Sequence, residues 1–330
     1  MPACPQCGTD LAQALLSCPS CHWLVHQEPL TQLAQEAERA TTEQRAADAL
    51  AAWRQALELL PPGSRQFQTI LEKAQILSRQ VEASSSTRQT AARSSPKGFI
   101  AWLGFVGFTI LAKGKLLLLG LGKASTLFSM LLAFGLYWTA WGWKFALGVI
   151  GMIYIHEMGH VATLQRYGIK ATAPMFIPGV GAFVHIKQPF TTRHEDAVVG
   201  LAGPWWGLAA ALAAYLTFAL SLVPLWAALA HVGAWLTLFN LLPVWQLDGS
   251  RGFQALARPQ RWLVALLILM LWLSIHEGLL VLLLLVAGWR ALEPDAPPQS
   301  DRSILWQYAS LLAMASLLSM IAAQPRSSSL

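Results

Sequence analysis

The sequence predicts an all-α polytopic membrane protein with a soluble N-terminal region. Of its 330 residues, 55% are apolar and only 12% are charged, whereas soluble domains carry about 25% charged residues. Residues 98–330 contain several apolar runs of about twenty residues, the length of a helix that spans a bilayer. Residues 1–97 carry nine basic and nine acidic residues, as a soluble region does. We therefore expect about six transmembrane helices and a short membrane-associated β-hairpin after this region.

The charge distribution indicates where the chain lies. The net charge of +6 falls wholly in residues 98–330, at the ends of the apolar runs. This pattern fits attraction to an anionic cytosolic leaflet better than binding to nucleic acid, so we expect no nucleic-acid partner. The first residues, MPACPQCGTD, have neither a basic nor an apolar signal-peptide region. We expect a multi-pass protein of the cell membrane with a cytosolic N-terminal region and no cleaved signal.

Four cysteines form a CxxC–x10–CxxC pattern near the N-terminus. They are Cys4, Cys7, Cys18 and Cys21. Two such knuckles can place four thiolates tetrahedrally around one Zn²⁺, which stabilises a segment too small for its own core. The pattern therefore predicts a structural zinc ribbon over residues 1–29. His22 or His26 is an alternative for one thiolate, and two disulfides in an oxidising compartment are the alternative to zinc.

A helical segment and a linker follow the cysteines. Residues 30–83 are rich in Ala, Gln, Glu and Leu, and the "PPGS" at 61–64 breaks them. The spacing of four of them matches the second helix of a TPR repeat: Ala49, Trp53, Ala56 and Pro61. A single repeat cannot bury its face, so a degenerate TPR or a plain helical hairpin is expected, and we favour the hairpin. Either offers a surface for a protein partner. Residues 84–98 have the composition of a linker, and 99–330 form the membrane domain.

Six apolar runs are the expected membrane spans: residues 124–143, 145–165, 197–223, 225–247, 262–289 and 304–323. Residues 99–121 are interrupted by Lys113 and Lys115 and are not counted as a span. Residues 171–190 contain two prolines and two glycines among β-branched and aromatic residues, which predicts a short extended hairpin.

Basic residues set the expected orientation. Those that flank the first four spans all fall on one side of the membrane, which the positive-inside rule assigns to the cytosol. Arg290 and Arg302 fall on the opposite side when 262–289 is one span, a mild violation of that rule.

The second span carries ionisable residues in the pattern HExxH: His156, Glu157 and His160. Such groups at membrane depth are costly and usually functional. Positions i and i+4 of a helix differ by about 40°, so both imidazoles share a face and can bind one Zn²⁺. Glu157 lies about 100° from His156, where it can reach water at the metal rather than the metal itself.

Two imidazoles leave a catalytic zinc one protein ligand short. The fourth span ends in "FNLLPVWQLDGSRG", which places Asp248 just before a Gly-Ser-Arg-Gly break. Spans two and four run in the same direction and both end near the cytosolic surface. Asp248 and His160 are therefore expected at similar depth, as coordination requires.

HExxH followed by N-x-x-P-x-x-x-L-D-G resembles the site-2 protease family of intramembrane zinc metalloproteases. The second motif comprises Asn240, Pro243, Leu247, Asp248 and Gly249, and the Gly203-Pro204 pair also resembles that family. The match covers roughly residues 124–255. The resemblance implies that His156, His160 and Asp248 bind zinc, that Glu157 is the general base, and that Asn240 positions the substrate backbone or the oxyanion. It also implies cleavage of membrane-embedded helices near the cytosolic face.

The expected function is therefore zinc-dependent intramembrane proteolysis, with one catalytic and one structural Zn²⁺. The expected partners are membrane-spanning protein substrates and the lipid bilayer. A catalytically silent scaffold of the same fold, binding partners through its N-terminal region, is the alternative. His276 and Glu277 lie midway along the fifth run, where a helix–helix hydrogen bond is the favoured role. We assign no metal role to His185 or His194.

Overall fold

The structure is a computed structural model that describes residues 3–12, 15–93, 124–169, 172, 174–177, 181–184 and 190–323. The chain divides into two compact units. The first comprises Met1–Leu111, Leu164–Lys170 and Ile186–Thr191, and the second comprises Ala112–Thr163, Ala171–His185 and Thr192–Leu330. Residues 99–121, which we did not count as a span, lie outside the described residues.

Eleven helices and two short strands make up the described part of the chain. They are α1 (Gln27–Thr42), α2 (Ala46–Glu58), α3 (Arg65–Arg93), α4 (Ala124–Trp141), α5 (Trp143–Arg166), β1 (Met175–Ile177), β2 (Gly181–Phe183), α6 (Arg193–Ser221), α7 (Pro224–Asn240), α8 (Asp248–Gln254), α9 (Arg258–Ile275), α10 (Gly278–Leu292) and α11 (Arg302–Ala323).

In its described residues up to Arg93, the N-terminal unit holds the four-cysteine segment and helices α1, α2 and α3. Helix α2 packs against both α1 and α3. Its Trp53 is buried and lies beneath the ammonium of Lys73 on α3, 4.7 Å from the ring centroid. Helix α3 continues through Arg93, into residues 84–98 where a linker is expected. The expected domain boundaries remain predictions.

The predicted polytopic and mostly helical membrane fold is confirmed. Within the described residues, four helices are long and apolar enough to cross a membrane: Trp143–Arg166, Arg193–Ser221, Arg258–Ile275 and Arg302–Ala323. Two shorter apolar helices cover Thr126–Trp141 and Gly278–Leu292. The exact number of six spans stays a prediction.

The prediction of one long fifth span over 262–289 is wrong. His276 takes a left-handed conformation with φ of 60°, which ends α9, and Glu277 precedes α10. The Arg261 guanidinium on α9 donates to the carbonyl of Arg290 on α10, at 3.1 Å. The two helices therefore form a hairpin with His276 exposed at its tip, because a polar pair followed by a glycine favours a turn over continued helix.

This hairpin also changes the distribution of positive charge. Arg290 lies beside Arg261, at the end of the bundle where α9 begins. The Gln260 amide donates to the Asp301 carbonyl at 2.8 Å, so α11 starts at the same end. Arg290 and Arg302 thus lie on the side of Arg261 rather than opposite it, and the expected violation of the positive-inside rule disappears.

The fourth apolar run does not continue as helix to Asp248. Helix α7 ends at Asn240, and a turn leads to the short helix α8, which begins at Asp248. The buried Tyr308 hydroxyl of α11 donates to the Leu241 carbonyl in that turn. A Cβ on Gly249 would lie against the Leu241 carbonyl and 2.6 Å from its Cα. Glycine at 249 therefore lets α8 pack tightly on the end of α7.

Strands β1 and β2 form the short hairpin expected within 171–190. They pair antiparallel, with Phe176 opposite Ala182. The backbone N–H of Phe176 donates to the Ser129 hydroxyl on α4 at 3.2 Å. One edge of the hairpin is therefore in contact with α4.

Candidate metal centre

Helices α5 and α6 approach closely where the HExxH motif lies. A Cβ on Gly159 of α5 would lie 2.6 Å from the Ala202 carbonyl oxygen of α6. His156, Glu157 and His160 expose only 8%, 6% and 6% of their surface. The glycine thus allows helix contact at the turn that carries the histidines, and this contact buries them.

Three side chains predicted as ligands come together in the structure. His156 Nε2 lies 2.9 Å from Asp248 Oδ2, and His160 Nε2 lies 3.2 Å from Asp248 Oδ1. The two Nε2 atoms are 3.3 Å apart. Asp248 is the first residue of α8. The tight packing of Gly249 on the end of α7 therefore places the Asp248 carboxylate beside the two histidines.

This donor set fits zinc in both chemistry and dimensions. Two imidazoles and a carboxylate match catalytic zinc sites that leave one position open. Tetrahedral bonds of about 2.0–2.1 Å separate neighbouring ligand atoms by about 3.3 Å, against 2.9–3.3 Å in this cluster. The cluster can therefore take zinc with shifts of a few tenths of an ångström.

A backbone carbonyl orients one of the imidazoles. His160 Nδ1 donates to the Val199 carbonyl of α6 at 2.8 Å, a buried hydrogen bond. In a neutral imidazole this leaves the lone pair at Nε2, which faces the Asp248 carboxylate. Two electron-rich atoms so close favour a cation between them. A bond from the second imidazole nitrogen is the usual way in which proteins orient metal-ligating histidines.

Two glycines on α6 form the wall behind the imidazoles. A Cβ on Gly203 would lie against His160 Nε2 and 2.6 Å from His156 Nε2. A Cβ on Gly207, one turn later, would lie 3.1 Å from His156 Nδ1. Gly203 therefore lines the candidate metal centre, a contact that its resemblance to the family's Gly-Pro pair did not predict.

An ion pair fastens α8, the helix that carries Asp248, to α6. Arg251 donates to Asp196 at 2.6 Å, and both side chains are partly buried. A Cβ on Gly200 would lie 2.8 Å from the Cβ of Arg251 and 3.2 Å from the Asp248 carbonyl. Asp196 and Gly200 thus fix the position of α8 against α6. The sequence alone did not predict these contacts, although Arg251 lies within the segment "FNLLPVWQLDGSRG".

The remaining predicted residues of the active site differ in their placement. Glu157 is buried and follows His156 on α5, so its side chain points about 100° away from that imidazole. Asn240 donates its amide N–H to the Leu236 carbonyl of its own helix at 3.1 Å. In the described part of the chain, no hydrogen bond joins Asn240 to the histidines or to Asp248.

The four cysteines form a second cluster, in the N-terminal unit. Their thiols are free, with Cys4 and Cys21 sulfurs 3.7 Å apart and Cys7 and Cys18 sulfurs 3.5 Å apart. Tetrahedral bonds of about 2.3 Å separate sulfurs by about 3.8 Å, so the spacing fits one zinc. All four sulfurs lie within 4.8 Å of one another, and neither His22 nor His26 joins them among the described residues.

Local contacts shift the thiol pKa values in this cluster in opposite directions. Hydrogen bonds from Thr9 lower the pKa of Cys7 to about 6. A backbone hydrogen bond from Trp23 lowers the pKa of Cys21, but burial and the neighbouring sulfurs outweigh it and raise this pKa to about 12. Four crowded sulfurs therefore resist full ionisation unless a cation is bound.

Among the described residues, neither cluster includes His194, His276 or Glu277. His194, to which we assigned no metal role, donates from Nδ1 to Asp301 Oδ2 at 2.5 Å. His185 lies outside the described residues. His276 and Glu277 occupy the tip of the α9–α10 hairpin rather than the middle of a span.

One comparison with known proteins covers the two helices that hold His156, His160 and Gly203. The family model of peptidase family M50 matches residues 144–223, which include the HExxH motif and Gly203. Asp248 and the cysteines lie beyond the matched residues. No curated protein and no solved structure matched the chain significantly. The expected resemblance to the site-2 protease family is confirmed over residues 144–223, where α5 and α6 match the family model of peptidase family M50.

Proposed function

We propose that the protein is a zinc-dependent intramembrane endopeptidase that cleaves membrane-embedded protein segments. The observation that best supports this proposal is the buried triad of His156, His160 and Asp248, whose candidate ligand atoms lie 2.9–3.3 Å apart. Val199 orients one imidazole, and Gly203 leaves room for both. A polar cluster with only a structural role would not require a buried Glu157 directly after His156 on the same helix.

Each residue has a separate task in peptide hydrolysis. Zinc held by the triad would supply the Lewis acid for the reaction. Glu157 is the general base: its carboxylate takes a proton from the attacking water and passes it to the leaving amine. Asn240 is a weaker candidate for contacting the substrate backbone, because its N–H donates to Leu236 here.

The depth of the triad predicts where the cut falls. Gly203 is ten residues into α6 from Arg193, about 15 Å along the helix axis. Half of a bilayer, headgroups included, is about 20–22 Å thick. A site about 15 Å from Arg193 therefore lies in the half next to the arginine-rich end of the bundle. We assign this end, and the N-terminal region, to the cytosol by the positive-inside rule.

The β-hairpin is the proposed holder of the unwound substrate. In an antiparallel pair, opposed residues point their backbone groups either towards or away from each other. The Phe176 N–H points away from β2, to Ser129, so the backbone of its partner Ala182 points away from β1. We propose that the substrate adds as a strand at this outer edge of β2.

The decisive test compares two Glu-to-Gln variants of the purified protein on a helical membrane substrate. Glu157→Gln keeps shape but cannot take the proton, and loss of a general base costs about 10²–10⁴ in rate. Glu277→Gln makes the same change at the hairpin tip and should leave the rate unchanged. Zinc content and folding should be the same in both variants.

Equal cleavage by wild type and Glu157→Gln would refute the protease assignment. In that case a silent membrane scaffold, which binds partners through the N-terminal helices, becomes the better explanation. The proposed complement of zinc is two ions per chain, one at the triad and one at the cysteines.

A further inference from the structure

A polar cavity of about 430 Å³ opens at the arginine-rich end of the bundle. The first residues of α6 and α11 line it, together with Ala255 and the loop before α11. Its charged or titratable lining residues are Arg193, His194, Asp301 and Arg302. The metal triad does not contribute to this cavity.

The acid in the lining is already engaged. Asp301 Oδ2 accepts from His194, and Oδ1 accepts from the backbone N–H of Ile304 at 3.0 Å. The nearby Glu293 is paired with Arg290 at 2.7 Å. Asp295, in the same loop, does not line the cavity.

The two arginines of the lining have no such partners. In the described part of the chain, neither Arg193 nor Arg302 makes an ion pair, and both are exposed. They belong to different helices and meet at one cavity. This arrangement offers two guanidinium groups to one anion, and guanidinium groups suit phosphate oxygens.

Three exposed tryptophans mark the depth of the cavity in the membrane. Trp262, Trp289 and Trp306 expose 46%, 70% and 71% of their surface. Each lies three or four residues from the end of its helix on this side, about 4.5–6 Å along the axis. Tryptophan is enriched at the headgroup level of membranes. The arginines, just beyond this belt, therefore lie where lipid phosphates lie.

We propose that this cavity binds the phosphate of an anionic phospholipid headgroup, held between Arg193 and Arg302. The proposal is independent of the protease activity. A soluble phosphate has the same chemistry, but the tryptophan belt favours the lipid. An acidic juxtamembrane peptide would lack the fatty chains that the belt accommodates.

The test measures phosphatidic acid binding to the full-length protein in detergent by native mass spectrometry, with phosphatidylcholine as reference. A net hydrogen bond from a guanidinium to the phosphate contributes about fivefold in affinity. We expect Arg302→Gln to weaken binding about fivefold and the double variant with Arg193→Gln about 25-fold.

Arg258→Gln is the matched control, because Arg258 is exposed at the same end of the bundle but does not line the cavity. The affinity of Arg258→Gln for the lipid in detergent should stay within about twofold of wild type, because Arg258 is outside the cavity and cannot contact the bound phosphate. Equal weakening by Arg258→Gln and Arg302→Gln would show general surface charge and overturn the proposal. Inorganic phosphate or an acidic peptide that binds as tightly as the lipid would also overturn it.

Discussion

Replacing Gly203 by alanine tests the geometry of the metal centre with the smallest change. The new Cβ would lie 2.6 Å from His156 Nε2 and 2.5 Å from His160 Cε1, whereas ordinary contact begins near 3.4 Å. Both imidazoles, or α6 itself, must therefore move by about 0.8–0.9 Å, several times the tolerance of about 0.2 Å on zinc–ligand distances. We expect zinc affinity to fall about 100-fold, or about 3 kcal/mol.

The assay is competition with a chelator of known affinity, read as zinc retained per chain. Gly151→Ala is the matched control, since a Cβ there meets nothing within 4 Å on the helix that carries the histidines. Alanine is the better helix former by about 1 kcal/mol, so neither change should unfold its helix. Equal zinc retention by both variants would refute the assignment of Gly203 to the wall of the metal centre.

Three further predictions concern other parts of the chain. Cys18→Ser should lower zinc from two ions per chain to one by elemental analysis, and unchanged zinc would exclude the ribbon. Arg251→Gln removes the ion pair between α8 and α6, so zinc affinity should fall up to about tenfold and recover in Arg251→Lys. Equal zinc affinities in wild type and both variants would show that Arg251 does not help to position α8. Burial raises the pKa of Asp301, but hydrogen bonds from His194 and the Ile304 N–H outweigh it and lower that pKa. Asp301 therefore stabilises the fold at neutral pH and loses this effect as pH falls through its lowered pKa. Asp301→Asn should unfold more easily at pH 7, and a difference from wild type that persists unchanged at low pH would contradict this.

The residues of the candidate metal centre could be predicted from the sequence because they follow local rules. The spacing of His156 and His160 fixes a shared helix face, and the run direction of the fourth apolar segment gave the depth of Asp248. The role of Val199 could not be predicted from the sequence, because Val199 acts through a backbone carbonyl that any residue provides. Arg251 and Asp196 are 55 residues apart, and only tertiary packing brings them together.

The α9–α10 hairpin shows a different limit of the sequence. An apolar run of 28 positions, 262–289, exceeds one span, yet hydropathy alone does not distinguish a tilted helix from two short ones. His276, Glu277 and Gly278 were the available signal, since two polar residues before a glycine favour a turn. The two arginines that violated the positive-inside rule were a second sign that the single-span interpretation was wrong.

X-ray absorption at the zinc edge tests the central claim most directly. In the Cys18→Ser protein, which should lack ribbon zinc, we expect nitrogen and oxygen ligands at about 2.0–2.1 Å and no sulfur at about 2.3 Å. His160→Ala in the same background should remove that signal. Zinc that is absent from the Cys18→Ser protein, or retained with the same spectrum after His160→Ala, would contradict a catalytic zinc held by His156, His160 and Asp248.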